Sequence, residues 1–126
     1  MKGKAIRVYA DTSVYGGVFD EEFRRPSETF FAQVRARRFE LVISAAVRDE
    51  IELAPEPVRS LFDEMQELAT FFEVNAEVVR LQETYLAKGI LTPKWEVDAL
   101  HVALATVSRC RVIVSWNVSH SVSVQN

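Results

Sequence analysis

"VYADTSVYGGVFD", residues 8–20, carries an apolar, strand-like stretch straight into an aspartate, two hydroxyls and a pair of glycines. Just upstream, "AIRVY" at 5–9 is short, mostly apolar and β-branched, a pattern that suits a buried strand better than a helix. The strand is therefore expected to stop at Asp11, where a turn begins. Whether that carboxylate does more than turn the chain depends on which other segments arrive beside it.

Helical and strand-like segments alternate from there on. "PSETFFAQVRARR" places Pro26 near a helix N-terminus and Phe30, Phe31 and Val34 at helical spacing, with Arg35, Arg37 and Arg38 mostly turned elsewhere. "FELVIS" at 39–44 reads as a second strand, and Ser44 offers its hydroxyl as a cap to the helix through "AAVRDEIEL", which carries Glu50. "PEPVRSLFDEMQELA" sets Val58, Leu61, Phe62, Met65, Leu68 and Ala69 in one core stripe. "TFFEV" is a third strand, Asn75 caps "AEVVRLQETYLAKG", and Gly89 stops that helix. "KWEVDALHVALATVSR" enters after Pro93 and leads through Cys110 into a fourth strand, "VIVS" at 112–115. Strands separated by helices imply crossover connections, so the expected class is α/β, a mainly parallel sheet covered by helices on both faces.

At 126 residues and 48% apolar content the chain has length for one domain with a sizeable core, and no repeat or Gly/Ser linker suggests a boundary. No apolar run approaches the roughly 18 residues of a membrane span, and the N-terminus lacks a signal peptide's apolar centre. One cysteine, Cys110, fits a reducing compartment and reads as a small half-buried hydrophobe. A cytoplasmic protein with no membrane partner is expected. A formal charge of −3 argues against coating nucleic acid by bulk attraction, although local basic patches still guide a polyanion.

Parallel sheets place working groups just past the carboxyl ends of their strands. Asp11 follows the first strand, Asn117 follows the fourth almost directly, and Glu50 lies on the helix leaving the second. Asp98 sits near the start of the helix entering the fourth strand, with His101 three residues on along one helical face. Four distant segments thus deliver Asp11, Glu50, Asp98 and Asn117 toward one cleft. Three carboxylates in a small volume repel one another unless protonated or neutralised by a cation. Oxygen ligands without a Cys/His cluster favour Mg²⁺ or Mn²⁺ over zinc, and such ions activate water and stabilise charge on phosphate oxygens. Phosphodiester hydrolysis is the reaction this chemistry predicts.

"YADTSVYGG", "ISAAVRDEIE" with its serine six residues before Glu50, "DALHVALAT" around Asp98 and "VIVSWN" together resemble the PIN-domain nucleases, closest to the VapC-like toxins of toxin-antitoxin pairs. The resemblance spans about residues 5–120 and rests on order and spacing, since no single motif is specific. It implies a PIN-like three-layer α/β/α domain over 1–126 with four or five strands. It further implies a Mg²⁺- or Mn²⁺-dependent endoribonuclease acting on single-stranded or looped RNA, dimeric and silenced by a cognate antitoxin. Carried over by position, Asp11, Glu50 and Asp98 match the acidic catalytic and metal-binding residues. Ser13 matches a hydroxyl that supports the first aspartate, and Asn117 stands where many members have a fourth acid. His101 and His120 fit a subgroup, with His101 a candidate for an outer-shell or substrate contact. After "SWNVSHSVSVQN" the chain stops where members usually continue into a further strand, so a shortened C-terminal end is the expectation.

Each residue also has a plainer explanation. Asp11 before Thr12 and Ser13 serves as a helix cap, Glu50 in "RDEIE" as one solvated charge among several, and His101 as a satisfied structural histidine. Ser115 and Asn117 suit a turn, and Trp95 and Trp116 suit core or interface packing as well as base stacking. Arg24, Arg25, Arg35, Arg37 and Arg38 form a solvated face or touch phosphates. Two other functional classes stay open: a catalytically weak PIN-like module that binds RNA or an antitoxin, and a phosphatase or phospho-acceptor domain. The last lacks a second acid two residues past Asp11 and a lysine after the fourth strand.

Overall fold

Val8, Tyr9 and Ala10 are completely enclosed, as a central strand of a parallel sheet covered on both faces requires. They belong to β1 (Ile6–Ala10), which pairs in parallel with β2 (Phe39–Ser44) on one side, from Ile6 opposite Phe39 to Tyr9 opposite Val42. On its other side it pairs in parallel with β4 (Val112–Val114), Val8 opposite Val112 and Ala10 opposite Val114. β3 (Thr70–Phe72) pairs in parallel with β2, giving the sheet order β3-β2-β1-β4. The computed structural model describes residues 5–89 and 96–116, and of 96–98 the helical backbone alone. The expected α/β class with a parallel sheet of four strands is thus what the described residues form.

Six helices of the described residues flank that sheet in two groups. α1 (Thr12–Gly17), α2 (Arg24–Arg35), α3 (Ala45–Ile51) and α4 (Glu56–Leu68) pack on one another and against β1 and β2. At their centre Tyr15 is enclosed by Phe31 and Phe62, ring centroids 5.1 and 5.5 Å away. α5 (Ala76–Ala87) and α6 (Glu96–Val107) pack against each other, with α6 also against β4. Met65, Leu104, Leu41 and Ile43 are buried between these layers, so the apolar stripe expected for 55–69 is a core face.

Several local devices follow from the sequence. Ser44 Oγ accepts from Val47 N, and Asn75 Oδ1 accepts from Val78 N, each capping the helix it precedes. Gly89 takes φ +68° just beyond α5, a conformation that costs glycine nothing. α2 begins two residues before Pro26, which still falls in the first turn, where an N–H has no intrahelical partner to lose.

Of the two readings of the segment after Asp11, a turn and a helix capped by Asp11, the second holds: the chain forms α1. The glycine pair reads as a helix breaker because it forfeits backbone entropy, but Asp11 supplies the cap that starts the turn. Gly17 is demanded by its neighbours. A Cβ there would lie 2.4 Å from Ser27 Oγ and 2.6 Å from Trp116 Nε1, whereas Gly16 has nothing within 4 Å. β3 and β4 are also shorter than expected, ending at Phe72 and Val114. Lys94 and Trp95 lie outside the described residues.

Candidate functional site

The strand order places a topological switch between β1 and β4: the chain builds outward from β1 through β2 to β3, then returns to the opposite side of β1. Loops leaving the carboxyl ends of such neighbours diverge and open a crevice. Asp11 stands at that point. Its backbone N donates to Val114 O (3.1 Å), continuing the β1–β4 pairing one residue past the strand. The side chain is buried, 3% exposed, and both carboxylate oxygens are engaged. Oδ1 accepts from Ser13 N (3.0 Å) and Ser13 Oγ (2.5 Å), and Oδ2 accepts from Ser115 Oγ (2.6 Å). Ser13 Oγ in turn accepts from Trp116 N (2.9 Å), so the segment after β4 is fastened onto the start of α1.

Glu50 reaches the same place from α3. Its Oε1 accepts from Thr12 Oγ1, on the residue directly after Asp11, so the two carboxylates flank the first turn of α1. His101 of α6 presents Nε2 to the same oxygen at 3.6 Å, slightly beyond hydrogen-bond length. The imidazole edge holds the Glu50 carboxyl below the usual glutamate range, with the Thr12 hydroxyl adding to it and partial burial opposing.

His101 is itself 3% exposed and bonded on its other side, Nδ1 lying 2.7 Å from the Tyr9 hydroxyl. That hydroxyl also meets Ser44 Oγ at 2.8 Å, and burial pushes the phenol well above its ordinary range. β1 carries Tyr9 two residues before Asp11, and β2 carries Ser44 two residues beyond Val42, the partner of Tyr9 across the ladder. Strand alternation therefore puts both on one sheet face, the face met by His101.

Asp11 and Glu50, from separate elements, are brought together at α1. Asp98 lies in α6 one turn ahead of His101, and its side chain is outside the described residues, as are Asn117 and His120. Among the described residues no three His, Cys, Asp or Glu side chains form a group able to hold a metal ion. Ser13 bonds Asp11, as its position suggested. Tyr9, and Ser44 and Ser115 in their present roles, went unnoticed in the sequence. The two-residue spacing of Tyr9 and Asp11 was a usable signal, whereas Ser44 needs the β1–β2 register and Ser115 the β1–β4 register.

Trp116 packs inward. Its ring stacks on Phe23 (5.4 Å between centroids, 4° between planes) and its Nε1 donates to Ser27 Oγ (2.9 Å), which favours packing over base stacking. Arg35 is engaged by Glu64 through two bonds of 2.6 and 2.9 Å, while Arg24, Arg25, Arg37 and Arg38 are exposed. Cys110 is half-buried beside Ser108, and burial raises its thiol above the ordinary range, as suits a small hydrophobe.

No family model matches the chain, and no curated protein does. Among solved structures it is similar to a chain of VapBC2 from Rickettsia felis bound to a DNA fragment from their promoter, with TM-score 0.56 and 12% identity. That likeness covers 88% of this chain and 99% of the other. At such identity it speaks for the fold, a PIN-like α/β arrangement, and for nothing finer. No helix of the described residues is long and apolar enough to cross a membrane.

Proposed function

We propose that this protein is a metal-dependent endoribonuclease, the toxin of a toxin-antitoxin pair, hydrolysing phosphodiester bonds in single-stranded or looped RNA. The observation that carries this reading is the placement of Asp11 and Glu50 at the first turn of α1, beside the sheet's switch point, on a fold similar to that of a chain of a VapBC assembly. The order of the acidic motifs in the sequence supports it. On this reading the protein works in the cytoplasm as a homodimer with an antitoxin partner.

The donor set fits a hard divalent ion: carboxylate and hydroxyl oxygens, with imidazole turned to an oxygen of Glu50 and bonded behind to Tyr9. Asp11, Glu50 and Asp98 are the residues that would hold Mg²⁺ or Mn²⁺. When bound, such an ion makes its water more acidic and offsets charge developing on phosphate oxygens. The protein's own part is positional. Ser13 and Ser115 fix the Asp11 carboxylate from both sides, and Thr12 and His101 fix Glu50. Negative charge is thereby held in place before substrate arrives, at the carboxyl ends of strands. Ser13 and Asn117 would orient water or substrate around it.

A second reading has one observation in its favour. Both oxygens of Asp11 already accept from three donors, an arrangement that also suits a purely structural clasp in a PIN-like module that binds RNA or an antitoxin without cutting. Incubation of the protein with a fluorogenic single-stranded RNA separates the two. A nuclease cuts in Mg²⁺ or Mn²⁺, stops with EDTA, and loses about 100-fold or more with Asp98→Asn, at or beyond the limit expected for an outer-shell change. RNA left whole by the parent protein, or cut equally fast by Asp98→Asn, contradicts the nuclease.

A further inference from the structure

The chain leaving β4 passes from Ser115, which donates to Asp11, into Trp116, a large ring that hydrolysis does not by itself require. Contacts from two helices hold that ring. It stacks on Phe23 at the start of α2, its Nε1 donates to the fully buried Ser27 Oγ at 2.9 Å, and its edge lies against Gly17 of α1. A Cβ at position 17 would stand 2.6 Å from Nε1 and 2.9 Å from Cδ1, so the ring has no room to slide toward α1. A planar side chain held on one face, along one edge and at its single donor carries its own backbone to a defined place.

The groups on that backbone have fixed roles. The Trp116 N–H can only donate, and it donates to Ser13 Oγ at 2.9 Å. Ser13 directs its one hydroxyl hydrogen to Asp11 Oδ1 at 2.5 Å, and the Ser13 N–H meets the same oxygen at 3.0 Å. Successive bonds in such a chain polarise and strengthen one another. Oδ1 thus has both lone pairs engaged, whereas Oδ2 accepts from Ser115 Oγ alone among the described residues and keeps one lone pair.

We propose that Trp116 is a positioning residue for Asp11. Its ring, held by Phe23, Ser27 and Gly17, sets where the Trp116 N–H meets Ser13, and Ser13 in turn keeps Oδ1 occupied and the carboxylate plane fixed. Oδ2 is thereby left as the oxygen of Asp11 that meets a cation. The role toward a cation rests on the nuclease reading; the chain of bonds from Ser27 to Asp11 does not.

Ser27→Ala tests that chain at its far end, because Ser27 bonds neither Ser13 nor Asp11 and the change removes the acceptor of the indole. In the ¹⁵N-labelled full chain, amide hydrogen exchange at Ser13 should quicken by about 10-fold, the protection of roughly one hydrogen bond. Val78, whose N–H is held by Asn75 at the start of α5, should keep the parent's rate. Trp116→Phe keeps a ring for Phe23, removes the same bond from the other side and should have the same effect. Ser13 exchanging at the parent rate in either variant, or Ser13 and Val78 quickening equally, overturns the proposal. In calorimetry Trp116→Phe should weaken Mn²⁺ binding by about 10-fold. Val58→Ala, a core truncation in α4, should lower the melting temperature while leaving Mn²⁺ affinity unchanged. Unaltered affinity in Trp116→Phe, or equal weakening in Val58→Ala, overturns the role toward the cation. A parent protein that binds no Mn²⁺ removes the nuclease reading and that role together, and exchange at Ser13 then decides the chain from Ser27 to Asp11 alone.

Discussion

Asp11 caps α1 with one oxygen and ties down the end of β4 with the other, so its loss should register in stability before any chemistry is measured. Asp11→Ala removes a cap worth about 1 kcal/mol and strands hydroxyl donors at about 1–3 kcal/mol more, a total near 2–4 kcal/mol in urea denaturation. Asp11→Asn keeps an oxygen for the cap and should cost about 1 kcal/mol. The plain cap interpretation of Asp11 was therefore correct as far as it went; the second oxygen was invisible because Ser115 is 104 residues away. Glu50 carries a different signature. Its carboxyl is held below the ordinary value of 4.5, chiefly by His101, so the ionised form is favoured in the folded state. That contribution is fully present above the unfolded value and fades as pH falls through the lower folded one. In Glu50→Gln, stability measured below about pH 4.5 should fall less steeply with acid than in the parent.

Among the elements, α1 was the least legible. Composition gave no reason to expect a six-residue helix ending in two glycines, because the reason lies in tertiary contacts: Ser27 from α2 and Trp116 after β4 close on Gly17. The pair should respond oppositely to alanine. Gly16→Ala meets open space and should gain up to about 1 kcal/mol from helix propensity. Gly17→Ala must displace a tryptophan ring and a buried hydroxyl, and should cost about 1–3 kcal/mol and shift Trp116 fluorescence. The longer helices and all four strands were readable because their apolar spacing and the caps Ser44 and Asn75 are local information. The line from Ser44 through Tyr9 to His101 was not, since it depends on strand register. The bland expectation for His101, a satisfied buried histidine, holds, and the same ring also touches Glu50.

For the molecule as a whole, the sheet order explains why a carboxylate ends the first strand. β1 is the one strand of the described sheet flanked by the two directions of chain travel, so a residue just past it stands at the switch point between them. On the nuclease reading, Asp11 and Glu50 at this end of the sheet would join Asp98 in favouring a divalent cation. A manganese-soaked crystal measured at the metal's absorption edge tests this most directly. The predicted result is one anomalous peak within about 2.0–2.6 Å of carboxylate oxygens of both Asp11 and Glu50, the usual span for hard ions. No manganese peak at those oxygens, with Asp11 still bonded to Ser13 and Ser115 and Glu50 to Thr12, would contradict it.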